Sequence, residues 1–303
     1  MNKKSLLAAV LTFFLALNGY AQNDSGALPQ EEDPEAQLRA FLDGFSWQTE
    51  GEGELGEWAT LEIPNGYAFL SGGQASDLIQ ALGNPRSEYD GLISRGDLDW
   101  FVIFQFDPSG YVKDDEKDEL DADKLLEDLR EIQVYQNEYR QEQGMEPMYI
   151  EGWEVEPRYN ERTNNLEWGL LVRSQSSTSP SVNYRTKLLG REGLMDVTLV
   201  CSPDQLDYVL PDYQDLLLGH VYKEGKSYAD YRQGDKIAEY GLTALIAGGA
   251  MYGAAKLGLL GSIMAFGKKF LKFIIAGAVA IGMAFKKFFA RMAGREIRED
   301  TNQ

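Results

Sequence analysis

The feature that most constrains this chain is a long apolar stretch near its C-terminus, residues 241–266, in which Lys256 is the one charged side chain. A helix rises 1.5 Å per residue, so a stretch of this length crosses the roughly 30 Å of hydrocarbon in a bilayer. We therefore predict a transmembrane segment at residues 240–266.

A second uncharged stretch, residues 273–285, follows at once and is bracketed by lysines. It is apolar on every face, which is not the pattern of an interfacial amphipathic helix. We predict a second transmembrane segment at 273–289, after a basic loop at 267–272 and before a basic tail at 290–303. Hydropathy favours two crossings and a helical hairpin, whereas the positive-inside rule favours a single transmembrane helix. The sequence leaves both open.

The N-terminus has the features of a secretory signal peptide. Lys3 and Lys4 precede an apolar stretch that is too short to span a bilayer, and Gly19 and Ala21 are the small residues expected before a cleavage site. We predict a signal peptide at residues 1–21. Residues 22–37 are polar and acidic and predict a flexible spacer.

The net charge of −19 hides a division between body and tail. Residues 22–240 contain 18 basic and 45 acidic residues, whereas residues 241–303 contain nine basic and three acidic ones. An acidic body repels phosphates, so nucleic-acid binding is excluded, while the basic tail suits anionic lipid headgroups. Partners expected from the charges are therefore the lipid bilayer, through the C-terminal segments, and an envelope protein.

Cysteine and histidine each occur once, as Cys201 and His220. An intramolecular disulfide is impossible, and a histidine-rich metal site or a Ser–His–Asp triad lacks its components. We expect no metal and no cofactor, and a body that folds by burial alone.

The body, residues 38–239, has the pattern of an α+β domain. Alternating and β-branched stretches bounded by turns predict strands, and periodic apolar stretches predict helices. Short turns between successive strands imply an antiparallel sheet, and we expect helices packed on one face of it in two consecutive lobes. The predicted strands are 58–63, 67–70, 100–106, 148–155, 166–172, 182–188 and 195–201, and the predicted helices are 77–82, 121–143 and a helix at 203–218 broken near Pro211. We expect the first two strands to form a hairpin around Pro64, Asn65 and Gly66, and Ser76 to cap the first helix.

Two stretches resemble ligand-binding motifs. Gly51, Gly53 and Gly56 match the G-x-G-x-x-G pattern, but the glutamates among them would repel a pyrophosphate, so we predict a tight acidic loop. Residues 107–123 are rich in carboxylates that suit Ca²⁺, yet they lack the spacing and central glycine of an EF-hand loop. A solvated loop leading into a helix is the preferred interpretation, with calcium binding as an alternative.

No set of residues forms a recognisable catalytic group, but three places are candidates for binding. One is a charged cluster after Gly110, another is a pair of residues that share a helix face, and the third is a glycine-flanked turn. Each could equally be a structural salt bridge or turn. The candidate binding residues are Lys113, Asp114, Asp115, Asn137, Arg140 and Arg191.

An ordered set of motifs resembles the bacterial membrane-anchored domain-of-unknown-function 2167 family over residues 38–289. The resemblance implies bacterial origin, an export signal, a large extracytoplasmic domain and C-terminal membrane segments, and it carries over no reaction and no catalytic residues. The motifs are Ile63 to Tyr67, Gly83-Asn84, Gly110 to Asp115, Gly152-Trp153 with Pro157 and Tyr159, Leu166 to Trp168, Asn183-Tyr184, Leu189 to Arg191, Gly225 to Ala229, and Asp235 to Gly241.

These observations predict an interaction or scaffold protein, more plausibly not an enzyme, in the cytoplasmic membrane with its main domain facing the periplasm. The alternatives are a carboxylate-based envelope hydrolase and a calcium-responsive binding module. Gly249 and Gly253 have the spacing of close helix contact in a membrane, so a homo-oligomer is a further possibility.

Overall fold

The structure, a computed structural model of the chain, describes residues 39–95 and 98–248. The predicted signal peptide and spacer, the segment 273–289, Gly249 and Gly253, and most of 240–266 lie outside the described residues. All described residues belong to one compact unit, Met1–Ala250. Within those two ranges, no helix has both the length and the apolar character needed to cross a bilayer.

Ten strands and four complete α-helices build the described part, together with a helical stretch at residues 39–42. The strands are β1 (Glu52–Leu55), β2 (Ala59–Glu62), β3 (Tyr67–Ser71), β4 (Gly91–Arg95), β5 (Phe101–Asp107), β6 (Met148–Asn160), β7 (Asn165–Ser174), β8 (Ser181–Leu189), β9 (Leu194–Cys201) and β10 (His220–Tyr222), and the helices are α1 (Gly72–Ala81), α2 (Ala122–Glu142), α3 (Leu206–Leu218) and α4 (Leu242–Ile246).

The strands form a seven-stranded sheet of order β3-β4-β5-β9-β8-β7-β6 and a three-stranded sheet of order β1-β2-β10. Every pairing is antiparallel, which confirms the predicted α+β class. The prediction of two consecutive lobes is wrong. Because β5 from the first half of the chain pairs with β9 from the second, a single sheet crosses the expected boundary.

Helices cover both faces of the large sheet, which corrects the prediction of helices on one face. Leu92 and Phe101 belong to an apolar cluster with α1, whereas their neighbours Ile93 and Val102 belong to a second cluster with α3. Successive side chains of a strand point to opposite faces. Strands β4 and β5 are apolar at successive positions, so each of their faces needs a cover.

The turn at Pro64–Gly66 connects the two sheets rather than forming the predicted hairpin. The amide of Tyr67 donates to the carbonyl of Pro64 at 3.1 Å, and Gly66 adopts a φ of 84°. Strand β2 then pairs with β1 and β10 on its two sides, so neither of its edges is open to β3. The turn residues predict a change of direction, but not which strands meet.

Three further local predictions are corrected. The glycine-rich stretch expected to be a loop forms β1, in which a Cβ on Gly53 would lie 2.7 Å from the ring of Phe69. Helix α1 begins at Gly72, so Ser76 lies inside it, donates to the carbonyl of Gly72 and accepts from the amide of Tyr89 instead of capping. Helix α3 continues unbroken through Pro211.

Helix α2 forms where the sequence predicts it and shields the outer strand of the large sheet. Asp121 caps it by accepting from the amide of Lys124 at 3.0 Å. Gln133 and Arg130 on one face of the helix bond to the amide and carbonyl of Ile150 in β6. An uncovered edge strand presents unpaired backbone groups to other chains, and these side chains satisfy them.

Candidate functional site

Asn137 and Arg140 hold the end of α2 against the neighbouring backbone. The side-chain amide of Asn137 donates to the carbonyl of Met148 at 2.7 Å and accepts from its amide at 2.8 Å. Arg140 donates to the carbonyls of Glu146 and Gly83, and burial lowers the pKa of its guanidinium. Asn137 therefore binds the first residue of β6, and Arg140 ties the end of α2 to the chain just before β6 and to the chain after α1.

Lys113, Asp114 and Asp115 follow β5 in the acidic loop. Asp114 accepts a hydrogen bond from the hydroxyl of Tyr159 at 3.1 Å. Burial, together with the charge of Asp114, raises the pKa of Tyr159. Lys113 and Asp115 are exposed. Of the three predicted residues, Asp114 is thus the one built into a network.

Arg191 lies in the turn between β8 and β9 and makes a two-pronged ion pair. Its Nε and Nη2 atoms donate to the two carboxylate oxygens of Asp235 at 2.7 and 2.8 Å, and its Nη1 donates to the carbonyl of Gly225. Hydrogen bonds from the side chain of Arg191 and from the amide of Arg232, together with the charge of Arg191, lower the pKa of Asp235 to about 2. The turn is thereby fastened to the segment that precedes α4.

Four stretches that are distant in sequence meet around this ion pair: residues 107–115, 189–193, 222–231 and 235–241. Tyr111 forms a parallel bridge with Ile237, and Gly190 an antiparallel bridge with Ser227. The amide of Gly110 donates to the carbonyl of Glu192 at 3.0 Å. These stretches contain four of the motifs that resemble the domain-of-unknown-function 2167 family.

Three tyrosine rings lie together at this meeting point. The ring centre of Tyr111 is 4.5 Å from that of Tyr228 and 4.3 Å from that of Tyr231. The hydroxyl of Tyr228 donates to the carbonyl of Val112 at 3.0 Å. Stacked rings with an anchored hydroxyl fix the loop after β5 against the chain that leads to α4.

A cavity of about 300 Å³ opens beside the ion pair. The indole of Trp58 lies between the ring of Phe106, stacked at 3.8 Å, and the ammonium of Lys226, 4.1 Å from the ring centre. Lys226 also lies 3.7 Å from the carboxylate of Glu192. The cavity is lined by Trp58, Pro108, Arg191, Glu192, Asp235 and Lys236.

Besides Asp114, three carboxylates of the acidic loop accept hydrogen bonds. Asp107 accepts from the hydroxyl of Tyr240, Glu116 from the amide of Thr243, and Asp121 from that of Lys124. In residues 39–95 and 98–248, no group of three or more histidine, cysteine or acidic side chains is placed to hold a metal ion. The structure thus offers no preformed calcium site in this loop as far as the described residues go.

The family assignment follows from a sequence comparison. A family model with the description "Protein of unknown function (DUF2167)" matches residues 48–282, which is most of the chain. The chain belongs to the DUF2167 family.

Other comparisons add little to that assignment. No curated protein matches the chain. Among solved structures, the solution structure of cyanobacterial PsbP (CyanoP) from Synechocystis sp. PCC 6803 is 13% identical, covers 58% of this chain and 97% of its own, and has a TM-score of 0.34. A likeness of this size carries no argument about what the DUF2167 domain does.

The sequence analysis identified Arg191 as a candidate binding residue but missed the other residues around the cavity. Trp58, Asp235 and Lys236 line the cavity, and the ring of Tyr228 lies nearby. The last two motifs of the family resemblance contain Tyr228, Asp235 and Lys236. These motifs could therefore have pointed to the three residues. Trp58 stands outside those motifs, and its position depends on the pairing of β2 with β10.

Proposed function

We propose that this DUF2167 protein is a membrane-anchored interaction module of the bacterial envelope, with its α+β domain facing the periplasm. The signal-like N-terminus and the two apolar C-terminal stretches support the address. The lysines of the loop at 267–272 support an extracytoplasmic body, because the positive-inside rule places that loop in the cytoplasm and the body on the other side of the first apolar stretch.

The observation that carries the interaction function is the high exposure of two large apolar side chains that are close in sequence, Leu218 and Val221, here called the patch. Leu218 ends α3 with 79% of its surface exposed, and Val221 in β10 is 59% exposed. Gly219 and His220 alone separate them, and β10 is an outer strand of the small sheet. Large apolar side chains grouped on a surface are typical of contact sites for other proteins.

A carboxylate-based hydrolase receives less support from the geometry. A general acid needs a pKa near the working pH, which usually requires burial without a cationic partner. Asp235 in the cavity has the opposite environment, because Arg191 holds its pKa at about 2. Burial raises the pKa of Asp90, but its carboxylate accepts from the amide of Phe106 at 2.6 Å and so fixes backbone.

Replacement of the patch tests the interaction function. The variant Leu218→Gln/Val221→Thr removes apolar surface while keeping size and strand propensity. The matched control is Val134→Gln/Tyr139→Gln on α2, where the two side chains are 58% and 46% exposed. Proteins that co-purify with the full chain from detergent-solubilised envelopes should be lost with the patch variant and retained with the control. Equal recovery with both variants would contradict the proposal.

A protease-accessibility experiment tests the address separately. Protease added outside spheroplasts should degrade the domain and leave the cytoplasmic proteins intact. Protection of the domain until the membrane is permeabilised would overturn the periplasmic orientation. A chain that washes off membranes with carbonate would overturn the anchor.

A further inference from the structure

The acidic groups in the cavity beside Arg191 are already neutralised by neighbouring cations. Asp235 has both oxygens bound to the guanidinium of Arg191, and the carboxylate of Glu192 lies 3.7 Å from the ammonium of Lys226. Lys236 contributes a further cation, and its ammonium donates to the carbonyl of Pro108 at 3.4 Å. The four charged groups that line the cavity balance, and Lys226 at its rim leaves an excess of one positive charge among these five groups.

This local excess contrasts with the body as a whole, where acidic residues outnumber basic ones by 45 to 18. Such a body repels anions over most of its surface. Lys236, an exposed residue at the wall of the cavity, has no carboxylate partner among the described residues, so it offers a local place for an anion. A cationic ligand, in contrast, would compete with Arg191 and Lys226 for carboxylates that are already paired.

The walls of the cavity are held rigidly before any ligand arrives. Phe106 and Lys226 cover the two faces of Trp58, so the indole presents its edge to the cavity beside the ring of Pro108. Arg191 is fixed by Asp235 and by the carbonyl of Gly225. Fixed walls reduce the ordering cost of binding.

We propose that this cavity binds a small anionic sugar, a ring bearing a carboxylate or a phosphate. Its volume of about 300 Å³ lies at the lower end of the range for small-molecule sites and suits one sugar ring. Pro108 and the edge of Trp58 meet the apolar C–H groups of the ring. The half-exposed carboxylate of Glu192 accepts from ring hydroxyls, and the ammonium of Lys236 contacts the anionic group.

A matched panel of four sugars tests the ligand class with the full chain in detergent micelles. Glucuronate carries a carboxylate, glucose 6-phosphate a phosphate, glucose no charge and glucosamine a positive charge. Calorimetry should show binding of at least one anion that is about tenfold tighter than that of glucose, since hydrogen bonds to charged groups are the stronger ones. Glucosamine should bind no better than glucose. The two anions separate a preference for carboxylate from one for phosphate.

Two lysine variants locate the site. Lys236→Gln should weaken anion binding about tenfold, whereas Lys124→Gln, at an exposed position of α2, should leave it unchanged. A thermal melt of each variant checks that the fold is intact, and Trp58→Phe should remove the fluorescence change caused by the ligand. Equal affinity for all four sugars, no binding of either anion, or anion binding that survives Lys236→Gln would each overturn the proposal. The patch at Leu218 and Val221 plays no part in this test, so the two proposals can fail separately.

Discussion

The carboxylate of Glu116 accepts a hydrogen bond from the backbone amide of Thr243 at 3.0 Å. The same carboxylate lies against Gly241, where an added Cβ would collide with it. Glu116 thus occupies the N-terminus of α4, where a negative charge is favourable. Helix α4, with Leu242 and Ile246 buried, is in this way joined to the acidic loop although it begins the predicted transmembrane segment 240–266.

We expect Glu116→Ala to lower the free energy of unfolding by about 1 kcal/mol, the usual cost of a lost N-terminal cap. Glu119→Ala, at an exposed position of the same loop, should be close to neutral. Urea unfolding of the full chain in detergent measures both. A chain that ends at residue 250 should also unfold at higher urea than one that ends at 240. Equal midpoints for the two truncations would show that α4 contributes nothing to the domain.

The close approach of Gly193 to the backbone of Asp107 gives a second prediction. A Cβ at Gly193 would overlap the carbonyl of Asp107, whereas a Cβ at Gly152 in β6 would meet nothing within 4 Å. Gly193→Ala should therefore destabilise the fold by roughly 2 kcal/mol or more through backbone strain, and Gly152→Ala by less than about 0.5 kcal/mol. Thermal melts measure the loss of stability in each of the two variants. Similar losses in both variants would contradict the contact between the turn and the loop after β5.

The buried pair of Lys187 and Asp196 gives a third prediction. Their charged atoms are 2.5 Å apart, and Arg185 lies 3.5 Å from the same carboxylate. Lys187→Met should destabilise the fold by about 3–5 kcal/mol, because Asp196 stays buried without its nearest partner. Lys117→Met breaks a more exposed pair with Glu161 and should cost less than about 1 kcal/mol.

A double variant separates the loss of the pair from the loss of packing. Lys187→Met/Asp196→Leu leaves no orphaned carboxylate and should recover much of the stability lost in the single variant. Chemical denaturation of the unmodified protein, the single variant and the double variant measures the three free energies of unfolding. A double variant less stable than Lys187→Met would show that the charges themselves stabilise the sheet.

His220 gives the prediction for pH. Burial lowers its pKa from 6.5 to about 4, since its Nε2 is shielded from water and has no hydrogen-bond partner among the described residues. The folded state then binds fewer protons than the unfolded state between these two values. The free energy of unfolding should fall as the pH drops from 6.5 to 4, by at most about 3 kcal/mol.

His220→Gln provides the control, because glutamine does not titrate. The difference in stability between the two proteins should change over this window and stay constant above pH 7.5. Unfolding curves at pH 7.5, 5.5 and 4.5 measure it. Parallel pH profiles would mean that the imidazole has the same pKa in the folded and the unfolded protein, which would contradict its burial.

The elements with strong local patterns were predictable. Strand β5 is a continuous apolar stretch, and α2 combines helical spacing with Asp121 as its cap, so each carries its own signal. The short strands β1 and β10 have only four and three residues. Their identity depends on pairing with β2, which no local pattern reveals.

The candidate site was predictable only in pieces. A charged residue in a glycine-flanked turn pointed to Arg191, but its partner Asp235 lies 44 residues later. Asn137 and Arg140 were paired by their spacing on one helix face, whereas the structure uses Asn137 to bind the first residue of β6 and Arg140 to bind the carbonyls of Glu146 and Gly83. Which charges meet is set by the pairing of distant strands, and that information is not local.

The most direct test of the interaction function is site-specific photocrosslinking in living cells. A photoreactive phenylalanine replaces Leu218 in one strain and Val134, an exposed apolar residue on α2 outside the patch, in another. We predict a discrete crosslinked product from position 218 that contains an envelope protein and is absent from position 134. The same products from both positions, or none from position 218 in a chain that reaches the membrane, would contradict the account.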